Sequence, residues 1–283
     1  MPLADERIIE VDVGGGSLLA IAHLPEEMTG TGVLIVPGAP QYRIGPHRLF
    51  VDLARQLAHH GVAVMRMDRR GYGGAGGAPV EFEQAGPEIE AALAAFRTAA
   101  PEVTAFTVMG LCDGASAALL HATTLPGVDG LILLNPWVRG EAAGAQAVLN
   151  AYYLPRLLRW RRWLAVMTSF GRMRGALRGV ASAVLETLRN REEGKAVFVD
   201  AMLRHWIDFP GRSLVVLSGR DVTAAEFDQL VRTTLTWPVA IRSTNTTVLH
   251  MKEADHTFSA RRHKAHLAEE ILAWLELQRG PLS

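Results

Sequence analysis

The sequence predicts an α/β fold: a mostly parallel eight-stranded sheet, helices on both faces, and a helical lid inserted after the sixth strand. Three observations carry this expectation. Short continuous apolar runs, such as Val33-Leu-Ile-Val36 and Leu131-Ile-Leu-Leu134, read as strands buried on both faces. They alternate with longer stretches of helical periodicity, the pattern of a parallel sheet crossed by helices. From about residue 137 to 210 the strand signal stops, leaving only helical periodicity rich in Arg, Leu, Trp and Ala.

The elements follow in order. Ile8–Val13 and Leu18–Leu24 read as two strands joined at Gly14-Gly15-Gly16, a hairpin signal. Val33–Val36 ends at Pro37-Gly38-Ala39-Pro40, and a loop with Gln41, Tyr42 and Arg43 leads to a helix over about 47–60. That helix places Leu49, Phe50, Leu53 and Leu57 on one face and closes at Gly61. Val62–Met65 is the next strand, followed by a helix near 87–100. An apolar run from Ala105 to Cys112 then enters an Ala-rich helix, and Leu131–Leu134 is the sixth strand. After the helical insertion, Leu214–Leu217 restores the strand pattern and ends in Ser218-Gly-Arg-Asp221. A helix over about 224–235, a strand near Thr246–His250 and a last helix over about 260–277 complete the chain. The core is therefore expected over 1–136 and 211–283, and the lid over 137–210.

Composition bounds the rest. The 283 residues are 49% hydrophobic with zero formal net charge, so a sizeable core is expected and nothing global points to nucleic acid. One cysteine excludes an intrachain disulfide framework and a multi-cysteine metal site, and it suits a reducing compartment. The first residues lack a signal-peptide pattern and no apolar run spans a membrane, so a soluble cytoplasmic protein is expected. No metal and no cofactor are expected, and the oligomeric state is left open.

The chemistry is concentrated at Gly110-Leu-Cys112-Asp-Gly114. A β-branched strand, a sharp turn and a helix in immediate succession form a nucleophile elbow, with Cys in the place usually held by Ser. Gly110 and Gly114 are required because a Cβ on either side would collide across the turn. The free N–H groups of the following helix favour a thiolate and then an oxyanion. The plainer alternative, a small buried core cysteine, lacks a reason for the flanking strand and helix.

A cysteine nucleophile needs a base and a group to orient that base. Cys112, Asp221 and His256 each stand just after a predicted strand, at the sheet edge where active residues collect. Their chain order is nucleophile, acid, histidine. His256 would take the thiol proton and return it to the leaving group, while Asp221 would fix the imidazole tautomer. His59, His60, His263 and His266 fall within predicted helices. His121 lies about half a revolution round the elbow helix from Cys112. Asp228 and Asp255 are the rivals of Asp221; one lies within a helix and the other is too near His256 in sequence. The oxyanion hole should combine the N–H of Asp113 with that of Ala39, since the neighbouring prolines have none; a plain Gly-Pro turn is the alternative reading of this loop.

Asp68-Arg-Arg-Gly71-Tyr-Gly73 resembles the Asp-x-Arg-Gly-x-Gly turn after the fourth strand of many α/β-hydrolases, which implies an architectural role, and its spacing matches neither a dinucleotide nor a Walker fingerprint. In the insertion, Arg156, Arg159 and Arg162 recur every third residue, and 137–210 holds twelve Lys+Arg against six Asp+Glu. A solvated lid face is one reading; contact with anionic membrane headgroups or a lipid-linked acidic substrate is the other.

With these residues in place, the sequence resembles an α/β-hydrolase over nearly its whole length. More narrowly it is similar to the exosortase A system-associated hydrolase 1 family, through Pro37–Arg48, Gly110–Ser116 and Ala254–Ser259. The resemblance implies a bacterial setting of exopolysaccharide synthesis. The Cys elbow also looks like that of dienelactone hydrolases, from which the long lid departs. The expected function is a hydrolase cleaving an ester or thioester through an acyl-cysteine, with a small-molecule or lipid-linked acyl substrate. Acyl transfer from the same intermediate, or a non-catalytic binding protein on this fold, remain alternatives.

Overall fold

The computed structural model describes residues 4–138, 198–243 and 245–278. Arg156, Arg159 and Arg162, with the central part of the expected lid, lie outside the described residues.

Eight strands form one sheet in the order β1-β2-β4-β3-β5-β6-β7-β8. β1 (Asp5–Asp12) and β2 (Ser17–Leu24) make the expected hairpin, and β2 also runs antiparallel to β4 (Ala63–Met67). The remaining neighbours, β3 (Thr31–Val36), β5 (Ala105–Leu111), β6 (Val128–Leu134), β7 (Arg212–Arg220) and β8 (Thr246–Asp255), are all parallel. Every residue of β3 is buried, which its unbroken apolar run requires.

Alternation along the strands supplies two cores. Leu34 and Val36 face one side, where α2 (Gly86–Ala99), α3 (Asp113–Leu120) and a helix at 198–208 pack. Val33 and Ile35 face the other, against α1 (Leu49–His59) and the C-terminal helix Arg261–Gln278. The C-terminal part of the expected lid thus lies in the core layer: Phe198, Met202, Trp206 and Phe209 are buried there. Two departures stand out. A short helix, Trp237–Ser243, was not expected: its seven residues give only one apolar repeat, Trp237, Ala240 and Ile241, too short to stand out as a helix. β8 runs to Asp255, beyond the apolar stretch, because backbone pairing with β7 carries it through exposed Lys252 and Glu253.

Strand register sets the site. Val36 pairs Gly110, Leu111 pairs Leu134, and Leu134 pairs Val216, so the carboxyl ends of four strands open at one edge. The loop after β3 is pinned from below by the Asp68 carboxylate. Fully buried, it accepts hydrogen bonds from the N–H groups of Arg43 (2.8 Å) and Gly74 (2.7 Å) and from the Arg43 guanidinium. Asp68 thereby ties the turn after β4 to the loop after β3.

Candidate active site

Cys112 sits between β5 and α3 at φ 60°, ψ −125°, a left-handed conformation that costs a residue with a Cβ. Its main chain is held from three sides. The N–H donates to Leu134 O (2.9 Å), and the carbonyl accepts from Ala115 N (3.0 Å), Ser116 N (3.1 Å) and Trp137 N (3.3 Å). The glycines leave no slack. A Cβ on Gly110 would lie 2.3 Å from the Gly114 carbonyl, and one on Gly114 would lie 2.5 Å from Val36 O.

His256, just beyond β8, donates from Nδ1 to Asp221 Oδ2 at 2.8 Å. Asp221 also caps the helix Val222–Thr233, accepting from Thr223 N (3.1 Å) and Ala224 N (3.0 Å). An N-cap of this kind is worth about 1 kcal/mol, so orienting the histidine and starting the helix are one arrangement. With Nδ1 engaged, the other ring nitrogen is left for Cys112, whose side chain also favours the charged imidazole. The hydrogen bond to Asp221, then the Cys112 side chain, push the His256 pKa up to about 10 against the opposing effect of burial. Asp228 instead pairs with Arg232 (2.8 Å), and Asp255 accepts from Thr257 N and Ser259 N in its own turn. The structure therefore brings Cys112, His256 and Asp221 together and leaves the rivals apart.

The folded value of His256 lies above its ordinary 6.5, so the protonated pair stabilises the fold fully below pH 6.5. That contribution is lost as pH rises through about 10. The imidazole resonances are therefore expected to remain those of the cation at pH 8. A wild-type Tm should fall more between pH 7 and 10 than that of His256→Gln. A midpoint near 6.5 in the folded protein would remove the ion pair from this account.

One residue here had no local signal. Asn135 is fully buried at φ 46°, directly after β6. Its Nδ2 donates to Ser218 Oγ and to the carbonyl of His256 (both 3.0 Å), its Oδ1 accepts from Ser218 N (2.8 Å), and its own N–H donates to Val216 O (2.9 Å). It ties the ends of β6 and β7 to the histidine loop, which depends on three distant segments and so is invisible in sequence. Beside it, Trp137 stacks on Phe198 and meets Phe82 edge-on, forming an aromatic cluster next to the elbow.

Both residues of the expected oxyanion hole, Ala39 and Asp113, lie at the elbow. Ala39, after a loop with a cis Ala39–Pro40 bond, does face the elbow, but its N–H donates to the Asp113 carboxylate, Oδ2 at 2.9 Å. Among the described residues, no group of three or more His, Cys, Asp or Glu side chains could hold a metal ion, and no helix is long and apolar enough to cross a membrane.

Sheet order, elbow and strand-end positions define an α/β-hydrolase. Residues 33–200, more than half of the chain, match the family described as serine aminopeptidase, S33, and the chain belongs to that family. No curated protein matches it by sequence. Among solved structures it is similar to the Pyrococcus furiosus esterase Pf2001, at TM-score 0.66 and 13% identity over 96% of this chain and 91% of that one. It is also similar to Est1E from Butyrivibrio proteoclasticus, solved with ferulic acid bound (TM-score 0.62, 16% identity, 95% and 98% covered). XC6422 from Xanthomonas campestris, described as an α/β serine hydrolase without a lid, superposes at TM-score 0.60 with 16% identity and both chains fully covered.

Proposed function

We propose that the protein cleaves an ester or thioester through a covalent acyl-cysteine at Cys112. The observation that carries this reading is the His256 imidazole, hydrogen-bonded to Asp221 and with its charged form favoured by the cysteine of a strained elbow. Cysteine stands where the family description specifies serine.

In the first half-reaction the Cys112 thiolate attacks the carbonyl carbon and its π electrons move onto oxygen. Collapse of the tetrahedral species breaks the bond to the leaving alkoxide or thiolate, and protonated His256 gives that group its proton. In the second, neutral His256 takes a proton from water as the water oxygen attacks the thioester. Expulsion of the Cys112 thiolate releases the acid and restores the thiolate–imidazolium pair, with Asp221 holding the ring throughout. The likeness to an esterase and to a ferulate-bound protein supports an ester substrate. The resemblance of Pro37–Arg48 and Ala254–Ser259 to the exosortase-associated hydrolases supports an acylated or lipid-linked intermediate of exopolysaccharide synthesis as its natural source.

The test is incubation with nitrophenyl esters and acyl-thioesters of graded chain length, with intact mass measured during turnover. Release of nitrophenolate with an acyl mass on Cys112 is expected. Absence of both from the wild type, or turnover undiminished in Cys112→Ala, would overturn the reading.

A further inference from the structure

The Asp113 side chain lies where the oxyanion hole needs empty space. Its Oδ2 is on the Ala39 N–H at 2.9 Å, which is the bond a developing oxyanion would have to make. The loop is shaped around this carboxylate. A Cβ on Gly38 would fall 2.0 Å from Asp113 Oδ1, so the space a side chain at 38 would fill is the space the carboxylate uses.

The carboxylate is nevertheless poorly held. Oδ1 is buried and accepts no hydrogen bond. Behind it stands Arg69, 1% exposed, whose Nε and Nη1 make no hydrogen bond, while Nη2 donates to Val80 O at 2.9 Å. Nη1 is 3.8 Å from Asp113 Oδ2, within ionic attraction but too far for a hydrogen bond. Glu88, the other carboxylate near Arg69 at 4.0 Å, is engaged by the Arg70 side chain (3.1 Å). Burial raises the Asp113 pKa, and the Ala39 N–H, Arg69 and the N–H groups of Asp113 and Gly114 pull it back. The site is thus an anion site with a buried guanidinium aimed into it and an under-bonded internal anion in place.

We propose that the Asp113 carboxylate is an internal occupant of the oxyanion hole, displaced by the substrate's carbonyl oxygen as Cys112 is acylated. Two anions cannot share one N–H, so the carboxylate must leave that bond as the oxyanion forms. Arg69 then faces the new charge. The inference rests on Cys112 being the acylated nucleophile, and it makes Asp113 a brake on the first half-reaction.

The experiment compares wild type, Asp113→Ala and Asp113→Asn by the burst of nitrophenolate from nitrophenyl acetate, divided by the iodoacetamide alkylation rate of Cys112. That ratio removes any change in the thiolate itself, because alkylation needs no oxyanion hole. Asp113→Ala is expected to raise it by about tenfold or more, up to the ~10²–10³ that one oxyanion donor is worth. Asp113→Asn, a neutral occupant of the same shape, should fall between the two. A ratio that drops in both variants would mean the carboxylate positions Ala39, and would overturn the proposal. Crystals of wild type and Asp113→Ala soaked in sodium bromide give a readout independent of turnover. A bromide within hydrogen-bond distance of Ala39 N in the variant alone supports the proposal; none in the variant overturns it. If no form acylates Cys112 while bromide binds the variant, the hydrolase reading fails and the internal occupant stands.

Discussion

Cys112→Ser is expected to lose on the order of 10²-fold or more in turnover, and Cys112→Ala to lose nearly all of it. The serine loss follows from the state of the base. His256 is held as a cation, with its pKa pushed up to about 10 by Asp221 and by Cys112. A thiolate beside an imidazolium is ready to attack. A serine hydroxyl needs a neutral imidazole to take its proton, and Asp221 at 2.8 Å still favours the charged ring after the sulfur has gone. Steady-state kcat/KM on one nitrophenyl ester, with folding checked by Tm, measures the effect. A serine variant equal to wild type would mean that His256 acts as an ordinary neutral base.

Gly114→Ala is expected to damage stability and activity together. The added methyl would stand 2.5 Å from Val36 O and 2.8 Å from Gly38 N, both backbone atoms of the central strand and its loop. Neither can yield without moving β3 or α3, so a loss of about 1–3 kcal/mol is expected. A displacement near 1 Å at Cys112 would lower turnover on the order of 10²-fold. Gly76→Ala is the control, since a methyl there meets nothing within 4 Å. If the two variants share the wild-type Tm and rate, the elbow is not as tightly packed as described.

The strands and the three chemical residues were legible because each leaves a local mark. A buried parallel strand is a short β-branched run, and Cys112, Asp221 and His256 follow such runs at punctuated ends. Gly110 and Gly114 announced a turn that only glycine fits. What was not legible depends on side chains meeting across the fold. Asn135 works by reaching β7 and the histidine loop, which lie over eighty residues away. The acceptor of the Ala39 N–H is set by the rotamer of Asp113, and no spacing rule encodes a rotamer.

Trp137 and Phe198 lie face to face, ring centroids 5.6 Å apart and planes 5° from parallel, with the Phe82 ring edge-on to both. Two positions far apart in sequence are thus clamped together against one ring, and Phe82→Ala would loosen both at once where they adjoin the elbow.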